Sequence, residues 1–169
     1  SVRRSGLIAI GLKDNDVLGW VKSSSGKDDI ILVTSDGQSI RFTEKEIRPM
    51  GRGAAGVRAV RLRGKDVVSG VDVIPEGKEM ENEQLLVVTT QGFGKRTPVK
   101  HYRLQGRGGS GIKAMKVTDK TGKVVAGFIV NAKRETEDLV CISDKGQVIR
   151  LPLKSVSVLG RDTQGVRIM

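Results

Sequence analysis

Six basic residues hold two fixed slots in a glycine-rich phrase that the chain writes three times. The phrase is Met50-Gly-Arg-Gly-Ala-Ala-Gly-Val-Arg-Ala-Val60, then Gln105-Gly-Arg-Gly-Gly-Ser-Gly-Ile-Lys-Ala-Met115, then Leu159-Gly-Arg-Asp-Thr-Gln-Gly-Val-Arg-Ile-Met169. Arg52, Arg107 and Arg161 share one slot, and Arg58, Lys113 and Arg167 the other. Glycines let a loop turn tightly and let a partner come close to backbone N–H groups. A guanidinium or ammonium alongside supplies charge for an oxyanion such as phosphate. Arg58, Lys113 and Arg167 alternate with apolar residues, so a solvated strand face accounts for them equally well.

Other chemistries lack their residues. Gly51–Gly56 and Gly106–Gly111 match the Gly-x-Gly-x-x-Gly dinucleotide fingerprint, but each is followed by a β-branched strand where that site needs a helix N-terminus. The third copy loses the pattern at Asp162, and Ile112 stands where a P-loop would continue with lysine. His101 is the only histidine and has no cysteine or acid near it in sequence, which leaves triads and histidine-based metal sites unsupported. Its setting, Lys100-His101-Tyr102-Arg103, reads as a surface loop in which Tyr102 packs or contacts phosphate. Cys141, the only cysteine, lies in an apolar strand and reads as a small buried hydrophobe. Asp14 with Asp16, and the glutamates of Pro75–Glu83, read as solvated acidic loops.

The elements that carry these slots are short strands. Gly37, Gly92 and Gly146 are 55 and 54 residues apart, and Gly51, Gly106 and Gly160 keep the same intervals. A period of this size marks a modular array. Period-2 alternation dominates, which predicts about four strands per repeat. They are expected at Val17–Lys22, Ile30–Thr34, Ser39–Phe42 and Val57–Leu62; at Val68–Ile74, Leu85–Thr89, Gly94–Thr97 and Ile112–Val117; and at Val124–Val130, Leu139–Ser143, Val148–Leu151 and Val166–Met169. One helical turn is expected at Glu44–Ile47. Trp20 and Phe128, each after a glycine and matched by Val71, read as core residues. The expectation is an all-β, propeller-like array of three tandem four-stranded blades, a partial array. Its repeats span 13–63, 64–118 and 119–169, and residues 1–12 supply the closing strand of a preceding repeat, so the chain reads as a piece of a larger protein.

Charge follows the same period. The chain carries +11, from 30 basic and 19 acidic residues. The first parts of the repeats (13–36, 64–91, 119–145) hold 10 basic and 16 acidic residues; the second parts (37–63, 92–118, 146–169) hold 18 and 3. A basic segment once per module predicts an extended acidic partner. With five aromatic residues the chain offers little stacking platform for single strands; ordered cations suit the backbone of a duplex of any sequence. No long apolar run or signal pattern is present, so a reducing cytoplasmic setting without membrane contact is expected.

With the hairpin phrases and the glycine-arginine phrases together, the chain resembles the C-terminal β-pinwheel domain of the bacterial DNA gyrase A subunit over essentially all 169 residues. The most telling stretches are Ile40-Arg-Phe42 through Val57-Arg58, Gly92-Phe-Gly-Lys-Arg-Thr97 and Val158-Leu-Gly-Arg-Asp-Thr-Gln-Gly-Val166. Their order is similar to the last three blades of a domain with about six. The family's box, Gln-Arg-Arg-Gly-Gly-Lys-Gly, is matched by Gln105–Gly111 at five of seven positions, without the second-position arginine and the lysine.

The resemblance implies a non-catalytic domain that binds and bends double-stranded DNA. Its further partners would be the B subunit, with the rest of the A subunit. It implies no cofactor here, with ATP and magnesium used elsewhere in the holoenzyme and the cleaving tyrosine in another domain. The residues expected at DNA are Arg41, Arg48, Arg52, Lys95, Arg96, Lys100, Arg103, Gln105, Arg107, Lys113, Arg150, Lys154 and Arg161. A propeller-like platform for an acidic protein and the topoisomerase IV A-type subunit stand as alternatives. An open three-blade arc exposes edges, which points to self-association of the fragment or to a half-ring with capped ends.

Overall fold

The first two β-hairpins of this protein are each clasped by strands of the repeat that follows. The computed structural model describes residues 6–134 and 136–169; Arg3, Arg4 and Ser5, the head of the expected closing strand, lie outside them. The strands among the described residues are β1 (Asp29–Thr34), β2 (Gln38–Thr43), β3 (Val68–Ile74), β4 (Glu83–Thr89), β5 (Phe93–Pro98), β6 (Ile112–Lys113), β7 (Val124–Asn131), β8 (Asp138–Ile142), β9 (Val148–Pro152) and β10 (Val166–Arg167). Short 3-10 turns lie at Glu44–Glu46, Lys78–Asn82, Val99–His101 and Leu153–Ser155.

Three hairpins, β1–β2, β4–β5 and β8–β9, form where alternating apolar residues flank a glycine turn. Gly37 shows why the turn residue is glycine: its φ is +79°, and a Cβ there would meet the backbone oxygen of Met115. The first sheet runs β3-β1-β2-β6 and the second β10-β5-β4-β7, all antiparallel; β8 and β9 pair with each other. The outer strands of each four-stranded sheet come from the next repeat. A blade is therefore not one repeat of sequence. The exchange covers both edges of a hairpin that would otherwise present a row of unpaired backbone groups.

Two expected strands, Val17–Lys22 and Val57–Leu62, are irregular. They hold the repeat positions of β3 and β6, which pair with the hairpin of the repeat before their own, and the described residues include no hairpin of a repeat before the first. Trp20, read as core, is 42% exposed for the same reason. Its counterparts Val71 and Phe128 do pack against core clusters.

The core is segmented between sheets. Ile31, Val33 and Ile74 of the first sheet pack with Leu85, Val87 and Val124 of the second and with Val99 and Tyr102 of the intervening turn. Leu86 and Val130 pack likewise with Leu139, Leu153 and Val156 of the third repeat. Where β3 crosses β7, Gly70 and Gly127 meet backbone to backbone, and no side chain fits between them.

Candidate nucleic-acid interface

Arg41 and Arg96 occupy the same slot of successive hairpins, and both are buried. Arg41 bonds Asp29 through Nε (2.8 Å) and Nη2 (2.6 Å), and its Nη1 donates to the backbone oxygen of Tyr102 (3.1 Å). Arg96 donates to the oxygens of Val156 (2.8 Å) and Lys154 (3.2 Å), and burial pushes its guanidinium below the usual arginine value. Each arginine thus holds the 3-10 turn of the following repeat. Lys95 is fully buried, and its Nζ bonds the oxygens of Gly160 (2.6 Å) and Arg161 (2.5 Å) and Thr163 Oγ1 (3.0 Å). Burial pushes this ammonium down to about 8, with nearby Asp162 opposing the shift. Arg41, Lys95 and Arg96 therefore leave the set of expected contact residues: they face the protein and fix the loops that carry other cations.

Arg150 is the third member of that arginine slot. It pairs with Asp138 as Arg41 does with Asp29, at 2.5 Å from Nη2, but its side chain is exposed, with no further turn packed over it among the described residues. Gln105 is half-buried, its backbone N–H donates to the oxygen of Arg41, and its Nε2 is buried without a partner among the described residues. It too is turned away from solvent.

The remaining expected residues, Arg48, Arg52, Lys100, Arg103, Arg107, Lys113 and Lys154, are exposed, and Arg161 is half-buried. The fold brings two slots together at each joint. Arg107 Nη1 donates to the backbone oxygen of Arg58 (3.1 Å), and Arg161 Nη1 to that of Lys113 (2.9 Å). The arginine of one glycine loop is thereby seated on the basic strand position of the repeat before. A backbone bond fixes the same joint three times: Gly11 to Ala54 (3.1 Å), Arg61 to Gly109 (2.8 Å) and Lys116 to Thr163 (3.0 Å). Arg107 is braced further by Glu46, whose carboxylate accepts the Arg107 backbone N–H at 2.9 Å. Lys113 forms an exposed pair with Asp162 at 3.3 Å, a contact weak enough for a stronger anion to displace.

Exposed Lys45 holds the same repeat slot as Lys100 and Lys154, each on the 3-10 turn that follows a hairpin. Sequence reasoning misses it, although the 55-residue step from Lys45 to Lys100 is the signal that finds it. Arg58 and Arg167 are exposed as well, Arg167 over the ring of Phe93. The array presents clustered cations at successive joints, which suits a long polyanion better than a small ligand.

The residues with reactive potential lead elsewhere. Tyr102, expected in a surface loop, is 1% exposed inside the inter-sheet core, and burial pushes its phenol up to about 12. Cys141 is half-buried rather than enclosed, with its thiol raised by burial. Among the described residues no group of three or more histidine, cysteine or carboxylate side chains is placed to hold a metal ion, and no helix is long and apolar enough to cross a membrane.

The model of the family described as DNA gyrase C-terminal domain, beta-propeller, matches residues 28–75, 83–131 and 137–169. The chain belongs to that family. The first matched segment runs from the β1–β2 hairpin to β3 and the second from β4 to β7, in step with the strand exchange. The DNA gyrase A subunit of Staphylococcus epidermidis is 42% identical over 168 residues, 99% of this chain but 18% of the relative. The chain therefore spans under a fifth of the curated relatives it matches. Among solved structures, a DNA gyrase A C-terminal domain superposes with TM-score 0.80 at 26% identity, over 98% of this chain and 54% of that one. The C-terminal domain of a DNA topoisomerase IV superposes with TM-score 0.89 at 20% identity, over 100% and 51%; that likeness speaks to the fold alone.

Proposed function

We propose that this gyrase C-terminal array is a non-catalytic element that binds duplex DNA along its cationic joints and bends it, within a gyrase A subunit that acts with a B subunit in the bacterial cytoplasm. The observation that carries the reading is the repeated seat of Arg107 on Arg58 and of Arg161 on Lys113. It sets cations at a regular step, as a phosphate backbone requires. Binding is then weakly dependent on sequence and strongly on salt. Bending a duplex over successive joints costs several kcal/mol, offset by the added phosphate contacts. In the whole enzyme such a bend gives a DNA crossing a fixed hand and favours negative supercoiling.

The gyrase reading is favoured over topoisomerase IV by the 42% identity to gyrase A sequences across the whole chain. The test is affinity for duplex and single-stranded DNA across a salt series. Tight duplex binding is expected, with log K falling against log salt at a slope near −5 if about 6 phosphates are engaged. A slope near zero, or preference for an acidic protein over duplex DNA, overturns the reading.

A further inference from the structure

One cation of the array is sealed from solvent, and what seals it is the loop that carries Arg161. Lys95, on β5, is fully buried, and its Nζ donates to the backbone oxygens of Gly160 and Arg161 and to Thr163 Oγ1. The three N–H bonds of an ammonium thereby meet three oxygens of one loop. The same place at the first joint is built without charge. Ile40 holds the slot of Lys95, and Gly109 that of Thr163. A Cβ on Gly109 would lie 3.6 Å from Ile40 Cδ1, so the isoleucine packs on the backbone of the glycine. The two loops also turn differently: Gly108 has φ +81°, whereas Asp162 in its slot does not have a positive φ. Glycine conformation and an apolar contact set the loop of the first joint; Lys95 sets that of the second.

We propose that Lys95 is the positioning residue of the second joint: its ammonium orders loop 160–163 and so presents Arg161 to the DNA backbone, which makes duplex binding at this joint depend on pH. This deepens the duplex reading and rests on it. A neutral amine has two N–H bonds and a lone pair, so on deprotonation one of the three oxygens loses its donor. One of those oxygens belongs to Arg161 itself. A loop that relaxes there unseats Arg161 from the Lys113 oxygen, which its Nη1 meets at 2.9 Å. Burial lowers the folded value of Lys95 to about 8, which brings the change close to neutral solution. Asp162 favours the charge and Arg161 opposes it; Lys113 bears on Lys95 through Asp162, its partner at 3.3 Å. On the other sides, β4 sets Val87 opposite Lys95, Tyr102 stays neutral to about 12, and Arg167 of β10 lies over the Phe93 ring. A phosphate held by Arg161 offsets the like charge that opposes the Lys95 proton. Binding and protonation therefore favour one another, and affinity falls as pH rises through about 8.

The test measures duplex affinity of the 169-residue chain at about pH 7 and pH 9, either side of the folded value, with the backbone amide shifts of Gly160, Arg161 and Thr163 in the free chain. The native chain should bind duplex about threefold less tightly at the higher pH, with a salt slope smaller in magnitude by about 0.9, as one lost phosphate contact requires. Its amide shifts should titrate with a midpoint near 8. Lys95→Met should bind at the lower pH as the native chain does at the higher, without pH dependence and without titration of those amides. Lys95→Ile with Thr163→Gly rebuilds the seam of the first joint. This double variant should recover the native affinity of the lower pH and keep it at the higher, which a lysine needed only for folding would not allow. Absence of duplex binding at the lower pH overturns the duplex reading and this proposal with it. Binding there with the same pH dependence in the native chain and in both variants, or native amides that do not titrate, overturns this proposal alone.

Discussion

A basic side chain in this molecule is either a buried brace or an exposed contact, and the two make opposite predictions. Arg96→Met leaves the backbone oxygens of Lys154 and Val156 without their donor. It should cost about 1–3 kcal/mol of stability, read as a lower urea midpoint. Lys95 adds a pH signature. Its folded-state value is about 8, against an ordinary value of 10.5, so between these the unfolded chain holds a proton that the folded chain has lost. This group's contribution to stability is full above about 10.5, falls as pH drops through that window, and is gone below about 8. Urea midpoints at both ends of the window should rise with pH more in the native chain than in Lys95→Met; equal slopes would mean that Lys95 is not desolvated. None of these braces was legible in the sequence, because an arginine alternating with apolar residues looks the same whether it faces water or a neighbouring loop. The periodic Asp29 and Asp138 beside Arg41 and Arg150 were the available signal, since a cross-strand carboxylate at fixed register marks a pair.

At the scale of elements, what was legible was local. The hairpins at Gly37, Gly92 and Gly146 follow from alternation and from turn residues, both of which are read within a few residues. The strand exchange was not legible, because a period-2 pattern says which residues face inward and nothing about which hairpin a strand joins. β3 and β6 pair across the repeat border for a physical reason the pattern does not encode: both edges of the hairpin need covering. The crossing of β3 over β7 gives this packing a direct test. A methyl group at Gly70 would meet the backbone of Gly127, and one at Gly127 would fall 2.8 Å from Val33 Cγ2. Gly70→Ala and Gly127→Ala should each destabilise the fold by about 1–3 kcal/mol through overpacking. Gly160→Ala, where a methyl group meets nothing within 4 Å, should leave the melting temperature unchanged. If all three melt alike, the sheets do not cross as closely as described.

For the whole molecule, the decisive property is that the cations are distributed rather than gathered. Lys45, Lys100 and Lys154 stand one per repeat, each on a 3-10 turn that belongs to a different joint. A duplex that follows the array meets them in turn; one that docks on a single face meets one. The two geometries separate in the salt dependence of affinity. Removing one phosphate neighbour from the path of the duplex lowers the magnitude of the slope by about 0.9. Replacing all three lysines with glutamine should therefore reduce it by about 2.7 if the DNA passes every turn, with free-energy losses that add because the sites share no partners. All three substitutions lie on exposed side chains that hold no loop in place, so the urea midpoint should not move. A reduction near 0.9 in the triple variant would confine the DNA to one repeat, and then bending would have no structural basis in this array. A reduction that comes from two of the three single variants would trace the path instead, since the silent lysine marks where the duplex leaves the surface.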